Sequence, residues 1–212
     1  MAGLCSVESW SIKKVSLIEI YTDGSSRGNP GPGGYGIVLS YHQKEKEISE
    51  GFRKTTNNRM ELLAVIVAIE SLKTSKIPIR VYSDSKYVID AITKGWLKSW
   101  IQKEFKGKKN KDLWLRFDKV SKGFDISYEW VKGHAGNPKN ERCDVLAVEA
   151  SKNSSLSVDY EYESNAEPPD LFWFYDGYKS MLINKCTTIH FTFQFIKINA
   201  INALVPSIVR SI

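Results

Sequence analysis

Cysteine is scarce in this chain of 212 residues, which contains Cys5, Cys143 and Cys186 and no other. No two of them form a CxxC pair, and their spacing fits no common pattern of metal ligands. The sequence therefore indicates neither a disulfide framework nor a zinc site. A reducing compartment follows from this cysteine usage, and we expect the protein to be cytoplasmic.

Long uninterrupted apolar runs are also missing. The most apolar span, Ile189–Val209, is interrupted by strongly polar residues, whereas a membrane helix needs about 20 predominantly apolar ones. We expect no stable membrane association, and a short packed element, a partner-binding segment or an extension without selected function remain open for this span. No secretory signal is expected at the N-terminus, because no charged segment is followed there by a long apolar one. The interrupting residues are His190, Gln194, Lys197, Asn199 and Asn202.

Acidic residues are in the minority, with 24 against 30 basic ones and a formal net charge of +6. Residues 1–151 hold 25 basic and 18 acidic side chains, a net +7, and residues 152–212 hold 5 and 6, a net −1. The positive charge of the first part favours a polyanionic partner. With 42% hydrophobic residues the chain can bury the core of one ordinary domain.

The first elements are typical of an antiparallel meander. Residues 16–22 predict a strand, and Asp23–Gly34 is so rich in Gly and Pro that we expect a turn without strand or helix. Strands are predicted again at Tyr35–Leu39 and near Lys46–Phe52. The predicted class is α/β, since helices and strands alternate afterwards and imply a mixed sheet flanked by helices. These elements are a helix from Asn57 or Asn58 to about Lys73, a strand at 79–83, helices near 85–93 and 108–121, a strand at 126–131 and a helix at 138–152.

Composition divides the chain into four parts. Residues 1–15 are an N-terminal extension, and residues 16–152 form the main domain. Residues 153–170 have the Ser, Asn, Pro and acidic content of a linker, and residues 171–212 are a C-terminal extension whose structure the sequence does not predict.

Four carboxylates are placed at the ends of apolar stretches or inside them: Asp23, Glu61, Asp84 and Asp144. Glu61 is the clearest case, because it is expected in the first turn of a helix that is apolar on all sides. An isolated carboxylate there costs several kcal/mol, roughly, unless it is paired, protonated or bound to a metal ion. Ligands that are all oxygen suit Mg²⁺ or Mn²⁺ better than zinc.

With these contexts in view, residues 16–152 resemble bacterial ribonuclease H of type 1, a family that cuts the RNA strand of RNA–DNA hybrids. Five motifs occurring in order make this resemblance specific. They are Thr22-Asp23-Gly24-Ser25, Gly28-Asn29-Pro30-Gly31-Pro32-Gly33-Gly34-Tyr35-Gly36, Thr55-Thr56-Asn57-Asn58-Arg59-Met60-Glu61-Leu62, Ser83-Asp84-Ser85, and Trp130-Val131-Lys132-Gly133-His134-Ala135-Gly136 followed by Asn140-Glu141-Arg142-Cys143-Asp144.

The resemblance implies an endonuclease that leaves 5′-phosphate and 3′-hydroxyl ends and acts as a monomer. It assigns two Mg²⁺ ions, or Mn²⁺, to the four carboxylates, an arrangement that can activate water and stabilise the leaving oxygen. His134 is implied as a catalytic helper in a mobile loop, and an imidazole can move protons at neutral pH. His42 and His190 are expected to be ordinary surface or core residues. The implied fold has five strands in a mixed sheet, the first three antiparallel, with helices on both faces.

Residues that would hold the hybrid follow from the same resemblance. Asn29, Asn57, Asn58 and Ser85 are implied in the minor groove, where RNA is distinguished by its 2′-hydroxyls. Lys54, Thr56 and Asn110 are implied as a pocket for a phosphate of the DNA strand. Lys86 stands where many bacterial relatives carry glutamine.

Residues 98–111 carry six lysines against one glutamate, a net +5, interleaved with tryptophan and phenylalanine. Such a run is usually a solvated face, but it also resembles the family's basic protrusion, several residues shorter, which grips the hybrid backbone. Its predicted contacts are Lys103, Lys106, Lys108 and Lys109.

Two other functions are alternatives to the hybrid nuclease. A catalytically silent hybrid-binding module predicts the loss of at least one metal carboxylate, and none is lost. A related nuclease or integrase acting on DNA does not predict the Thr55-Thr56-Asn57-Asn58 and Gly-rich segments.

Overall fold

The computed structural model describes residues 16–73 and 76–164. Its strands are β1 (Ile18–Ser26), β2 (Gly31–Tyr41), β3 (Lys44–Thr55), β4 (Ile79–Ser83) and β5 (Ile126–Trp130). Its helices are α1 (Asn57–Glu70), α2 (Lys86–Thr93), α3 (Trp96–Gln102), α4 (Lys111–Ser121), α5 (Pro138–Ala150) and α6 (Tyr160–Ser164). All described residues belong to one compact unit.

The strands form one mixed sheet in the order β3-β2-β1-β4-β5. β1 pairs antiparallel with β2, and β2 with β3, whereas β4 runs parallel to β1 and to β5. This arrangement confirms the predicted five-stranded mixed sheet whose first three strands are antiparallel.

Helices cover both faces of the sheet because alternate residues of its strands point in opposite directions. Ile20 and Ile37 pack in the main core with the buried side chains of α1. Their neighbours Tyr21 and Val38 pack instead with Cys143 and the rest of the buried face of α5. The prediction of helices on both faces is therefore confirmed.

The expected turn at Asp23–Gly34 is wrong in its extent. β1 continues to Ser26 and β2 already begins at Gly31, with Asp23 paired to Gly36 and Ser25 to Gly34. Sequence reasoning took the glycines as breakers of regular structure. Here they remove side chains where helices lie against the strands, and turn geometry is confined to the few residues between.

One of the carboxylates, Glu61, occupies a different helical position from the expected one, whereas Asp144 lies within the helix predicted for it. Glu61 is the fifth residue of α1 and so lies in its second turn, because the helix begins directly after the N-cap Thr56. Asp144 lies in the middle of α5, whose N-cap Asn137 accepts hydrogen bonds from Lys139 and Asn140. Both helices begin where the sequence predicted, at Asn57 and Pro138, and only the turn assigned to Glu61 was wrong.

Residues 153–164, the described part of the predicted linker, lie against β3; we call them the C-terminal strap. Ser157 bridges Phe52, and its backbone exchanges hydrogen bonds of 2.8 and 3.0 Å with Gly51 and Arg53. Residues 1–15 and 165–212, including the apolar span Ile189–Val209, lie outside the described residues. Within residues 16–73 and 76–164, no helix has the length and apolar character needed to cross a membrane.

Candidate active site

Asp23 and Asp84 are brought together by the parallel pairing of β1 and β4. Thr22 is aligned with Ser83, so Asp23 and Asp84 follow as the next residue on each of two adjacent strands. Asp23 is buried, and its carboxylate accepts a 2.7 Å hydrogen bond from the backbone N–H of Gly24.

Two glycines allow helices from opposite faces to approach Asp23. A Cβ on Gly24 would overlap the backbone of Met60 and Glu61 in α1. A Cβ on Gly36, the cross-strand partner of Asp23, would overlap the carbonyl of Cys143 in α5. The lack of a side chain at these two positions therefore brings Glu61, and Asp144 beside Cys143, to the strand that carries Asp23.

The four predicted carboxylates are electrostatically coupled. Burial, and after it the charges of Asp84, Asp144 and Glu61, together raise the pKa of Asp23 from 3.8 to about 8 against the opposing hydrogen bond from Gly24. A pKa that high means that a negative charge on Asp23 is unfavourable among these neighbours. The site is therefore one where a cation would be strongly attracted.

Glu61 is held by hydrogen bonds to both of its carboxylate oxygens. Asn57 donates to one oxygen at 2.7 Å, and the hydroxyl of Ser85 donates to the other. Burial and the charge of Asp84 raise the pKa of Glu61, while the bonds from Ser85 and Asn57 oppose that shift. Two residues predicted to contact the minor groove, Asn57 and Ser85, thus orient a carboxylate of the site.

Asp84 is contacted by the last residue of β5 and by the segment that follows this strand. The indole N–H of Trp130 donates a 3.0 Å hydrogen bond to the backbone carbonyl of Asp84. A Cβ on Gly133 would lie 2.5 Å from the Asp84 Oδ2, so this glycine touches the carboxylate directly. His134 follows it, exposed and in the left-handed conformation at φ 52°. The predicted catalytic histidine is therefore one residue from a group in contact with Asp84.

Lys86, the unusual residue after Ser85, is exposed and lies over Trp130. Its ammonium is 4.9 Å from the centre of the indole ring, a cation–π distance. A positive charge is thus fixed on the same tryptophan that bonds to Asp84.

The donor chemistry of the site fits a hard divalent cation, because all four side chains offer oxygen ligands and one of them is buried next to like charges. In residues 16–73 and 76–164, no three Asp, Glu, His or Cys side chains converge tightly enough to form a closed ligand set. The hydrogen bonds from Asn57 and Ser85 keep Glu61 in its present orientation. The residues therefore fit divalent ions by their chemistry and charge.

A cleft of about 1000 Å³ contains several residues predicted to bind substrate but none of the four carboxylates. Lys54, which was predicted to bind a phosphate with Thr56 and Asn110, does not line it. The cleft instead includes residues that the sequence did not single out, among them Arg59, Tyr87 and Tyr162. The predicted residues that line it are Asn29, Thr56, Asn58, Lys108, Lys109 and Asn110.

Arg59 is the main residue that sequence reasoning missed. It is 3% exposed and bonds through its guanidinium to Asp112, Asp159 and Asn110. The sequence did contain an indication of its importance, because Arg59 is a charged residue in the same apolar helix as Glu61. The partners were not foreseeable, because they lie 51 to 100 positions away in the sequence.

The basic segment begins with α3 and continues through irregular backbone to α4. Trp100 packs edge-on against the fully buried Trp114, and the ammonium of Lys108 lies 5.3 Å from the Trp100 ring. Lys103, Lys106 and Lys109 are exposed in this segment. Lysines therefore stand on a layer of packed tryptophans, as the sequence indicated.

The model of the RNase H family matches residues 16–152. Ribonuclease H of Desulforamulus reducens is 52% identical over 147 residues, which are 67% of this chain and 92% of that protein. Ribonuclease H of Trichodesmium erythraeum is 47% identical over 156 residues, 71% of this chain and 99% of that protein. The crystal structure of LC9-RNase H1, a type 1 RNase H with the type 2 active-site motif, superposes with a TM-score of 0.60 at 29% identity, covering 72% of this chain and 82% of that one. This chain belongs to the RNase H family, type 1.

Proposed function

We propose that this protein is an endonuclease that hydrolyses the RNA strand of RNA–DNA hybrids and leaves 5′-phosphate and 3′-hydroxyl ends. The observation that carries the proposal is the coupling of Asp23 to Asp84, Asp144 and Glu61 at the sheet of an RNase H fold. Four carboxylates with one pKa near 8 form a site whose charge is balanced by divalent cations.

Asp23, Glu61, Asp84 and Asp144 would hold two divalent ions, Mg²⁺ or Mn²⁺. Ions bound there supply an activated water for in-line attack and stabilise the leaving 3′-oxygen. The protein's own contribution is orientation: Asn57 and Ser85 fix Glu61, and Trp130 fixes the backbone of Asp84. His134 is proposed to assist proton transfer or product departure from its exposed loop next to Gly133.

The hybrid would lie across the cleft and the basic segment. Asn29 and Asn58 line the cleft and are proposed to contact the minor groove, together with Asn57 and Ser85. Thr56 and Asn110 are proposed to hold a phosphate of the DNA strand, with Lys54 outside the cleft as a more distant charge. Lys103, Lys106, Lys108 and Lys109 would neutralise backbone phosphates and make binding salt-dependent.

Cleavage of a labelled RNA–DNA hybrid with Mg²⁺ or Mn²⁺ tests the proposal. We expect cleavage of the RNA strand alone, its loss in Asp84→Asn, and little change in the surface control Asp118→Asn. Double-stranded RNA and double-stranded DNA of the same sequence should remain intact. No cleavage by the folded chain with either ion, combined with tight hybrid binding, would replace the nuclease by a silent hybrid-binding module.

The cytoplasm and a monomeric state are part of the same proposal. The compartment is supported by the cysteine usage, with Cys143 buried and unpaired among the described residues. Light scattering on the purified chain checks the mass, since a monomer has 24.1 kDa.

A further inference from the structure

We propose that Asp159, in the C-terminal strap, is a positioning residue of the phosphate pocket. The pocket is the one formed by Thr56 and Asn110, so this inference rests on the proposed function. Asp159 lies beyond residues 16–152, the part of the chain that the family model matches.

The strap is fixed to β3 by several independent contacts. Ser157 continues the sheet for one residue through its bonds to Gly51 and Arg53. Its hydroxyl donates to Glu50 at 2.6 Å, and the guanidinium of Arg53 bonds Glu163 at 2.8 Å. The end of the strap then reaches the cleft, where Glu161 and Tyr162 form part of the wall.

Asp159 is the buried anchor of the strap. One of its carboxylate oxygens accepts hydrogen bonds from the Arg59 Nε at 2.7 Å and from the Thr55 hydroxyl at 2.9 Å. The other oxygen accepts from the Arg59 Nη2 at 2.8 Å. Asp159 is 8% exposed and Arg59 is 3% exposed, so the charges are satisfied by each other rather than by water.

The same guanidinium extends the contact to the opposite side of the cleft. Arg59 bonds both carboxylate oxygens of Asp112 at 2.9 and 2.7 Å and reaches the side-chain oxygen of Asn110 at 3.5 Å. All three nitrogens of the guanidinium are thereby engaged. Arg59 is consequently held as a rigid spacer between the strap and α4 and is not free to take a phosphate itself.

Asn110 needs this support because it has an unusual conformation. It is the N-cap of α4, its backbone is left-handed at φ 60°, and its side chain makes no capping hydrogen bond. The amide instead donates to the Tyr87 hydroxyl at 3.1 Å and accepts from Arg59. The side chain is therefore oriented by groups outside its own helix.

Thr56, the other residue of the pocket, is also positioned by Asp159. Its neighbour Thr55 is fully buried and bonds to Asp159, and Thr56 itself is the N-cap of α1 without a side-chain capping bond. Asp159 thus holds the side chain of the residue before Thr56 directly and the side chain of Asn110 through Arg59. A phosphate between them meets two polar groups that are oriented before it binds.

The test compares Asp159→Asn with Glu163→Gln in the full chain. Both substitutions remove a carboxylate by which the strap binds an arginine, but only the first touches Arg59. We expect Asp159→Asn to raise KM for the hybrid roughly threefold to tenfold with kcat changed less than twofold, because a misoriented pocket weakens binding more than chemistry. Glu163→Gln should leave both constants unchanged. Thr55→Val removes one bond to Asp159 at equal volume and should give a smaller rise in KM, which keeps the test informative if Asp159→Asn is unfolded.

A second measurement addresses the phosphate directly. Neutral methylphosphonate linkages are placed one at a time along the DNA strand, and the Kd of each hybrid is measured in an Asp84→Asn background, so that cleavage is not required. The protein that retains Asp159 should bind the hybrid more weakly when a methylphosphonate replaces one or two particular phosphates. At those positions the Asp159→Asn protein should lose little further affinity. A folded Asp159→Asn protein with normal KM, or with full sensitivity at those linkages, would overturn the proposal. Kd is measured without cleavage. An inactive chain would therefore count against the proposed function, while the comparison of Kd values would still test the role of Asp159.

Discussion

Replacing Asp23 by asparagine should stabilise the protein in the absence of divalent ions. The folded-state pKa of Asp23 is raised to about 8 from 3.8, so the folded protein binds a proton that the unfolded chain releases between these values. Stability is therefore lost progressively as the pH rises through this window. The full shift corresponds to a ceiling of roughly 6 kcal/mol. We expect about 2 kcal/mol for Asp23→Asn at pH 8, because side-chain movement and water entry relieve part of the repulsion.

Urea unfolding in EDTA at pH 4, 6 and 8 measures this effect. The advantage of Asp23→Asn over the unsubstituted protein should be small at pH 4 and grow steadily to pH 8, since the amide does not titrate. Asp118→Asn is the matched control: this exposed carboxylate pairs with Lys122, and such surface pairs contribute about 0–1 kcal/mol. A gain that is the same at every pH, or a loss of stability, would show that the charges around Asp23 are not the cause.

Divalent ions should reverse the order of the two proteins. Ligand binding to the folded state stabilises it in proportion to the logarithm of the ligand concentration. Millimolar Mg²⁺ should raise the unfolding midpoint of the unsubstituted protein more than that of Asp23→Asn. Equal responses would remove Asp23 from the set of metal ligands.

Three further substitutions probe the packing and charge around the site. Gly24→Ala should lower stability by about 3 kcal/mol or more in urea unfolding, because its Cβ would overlap the backbone of Glu61; a loss below about 1 kcal/mol would contradict the close packing. Thr22→Val should be neutral or stabilising by roughly 1 kcal/mol, as the buried Thr22 hydroxyl has no hydrogen-bond partner among the described residues; a clear loss of stability would reveal a partner. Lys86→Gln should lower the slope of log KM against log salt by about one if Lys86 meets a phosphate, and an unchanged slope would confine Lys86 to its contact with Trp130.

The sheet and the order of its elements were predictable because their signals are local. The strand at 79–83 was predicted at its observed bounds, and the helices of α2 and α5 within one or two residues. The extent of β1 and β2 was not predictable, because the sequence does not distinguish a glycine that ends a strand from a glycine that lets a helix pack closely against the strand. Only the positions of α1 and α5 distinguish Gly24 and Gly36 from turn residues.

The predicted site residues divide in the same way. The proximity of Asp23 and Asp84 follows from the register of β1 and β4, and these strands were predictable from the local sequence pattern. The bond of Ser85 to Glu61 and the network of Arg59 depend on contacts between distant segments, so no local pattern contained them. The bond of Asn57 to Glu61 is instead local, since the two residues are four positions apart in α1. The strap was taken for a linker because its composition is polar, although that polarity is used for bonds to β3 and Arg59.

The glycines of β2 and β3 have a consequence for redesign of the enzyme. At Gly34, Gly36 and Gly51 the backbone carbonyls of α5 lie where side chains would otherwise stand. The distance between α5 and the sheet, and with it the position of Asp144, is thus determined by contacts between backbone atoms of the helix and of the strands. An engineer who wished to widen the site would have to shift a whole helix, and alanine at Gly36 is the smallest change that would do so.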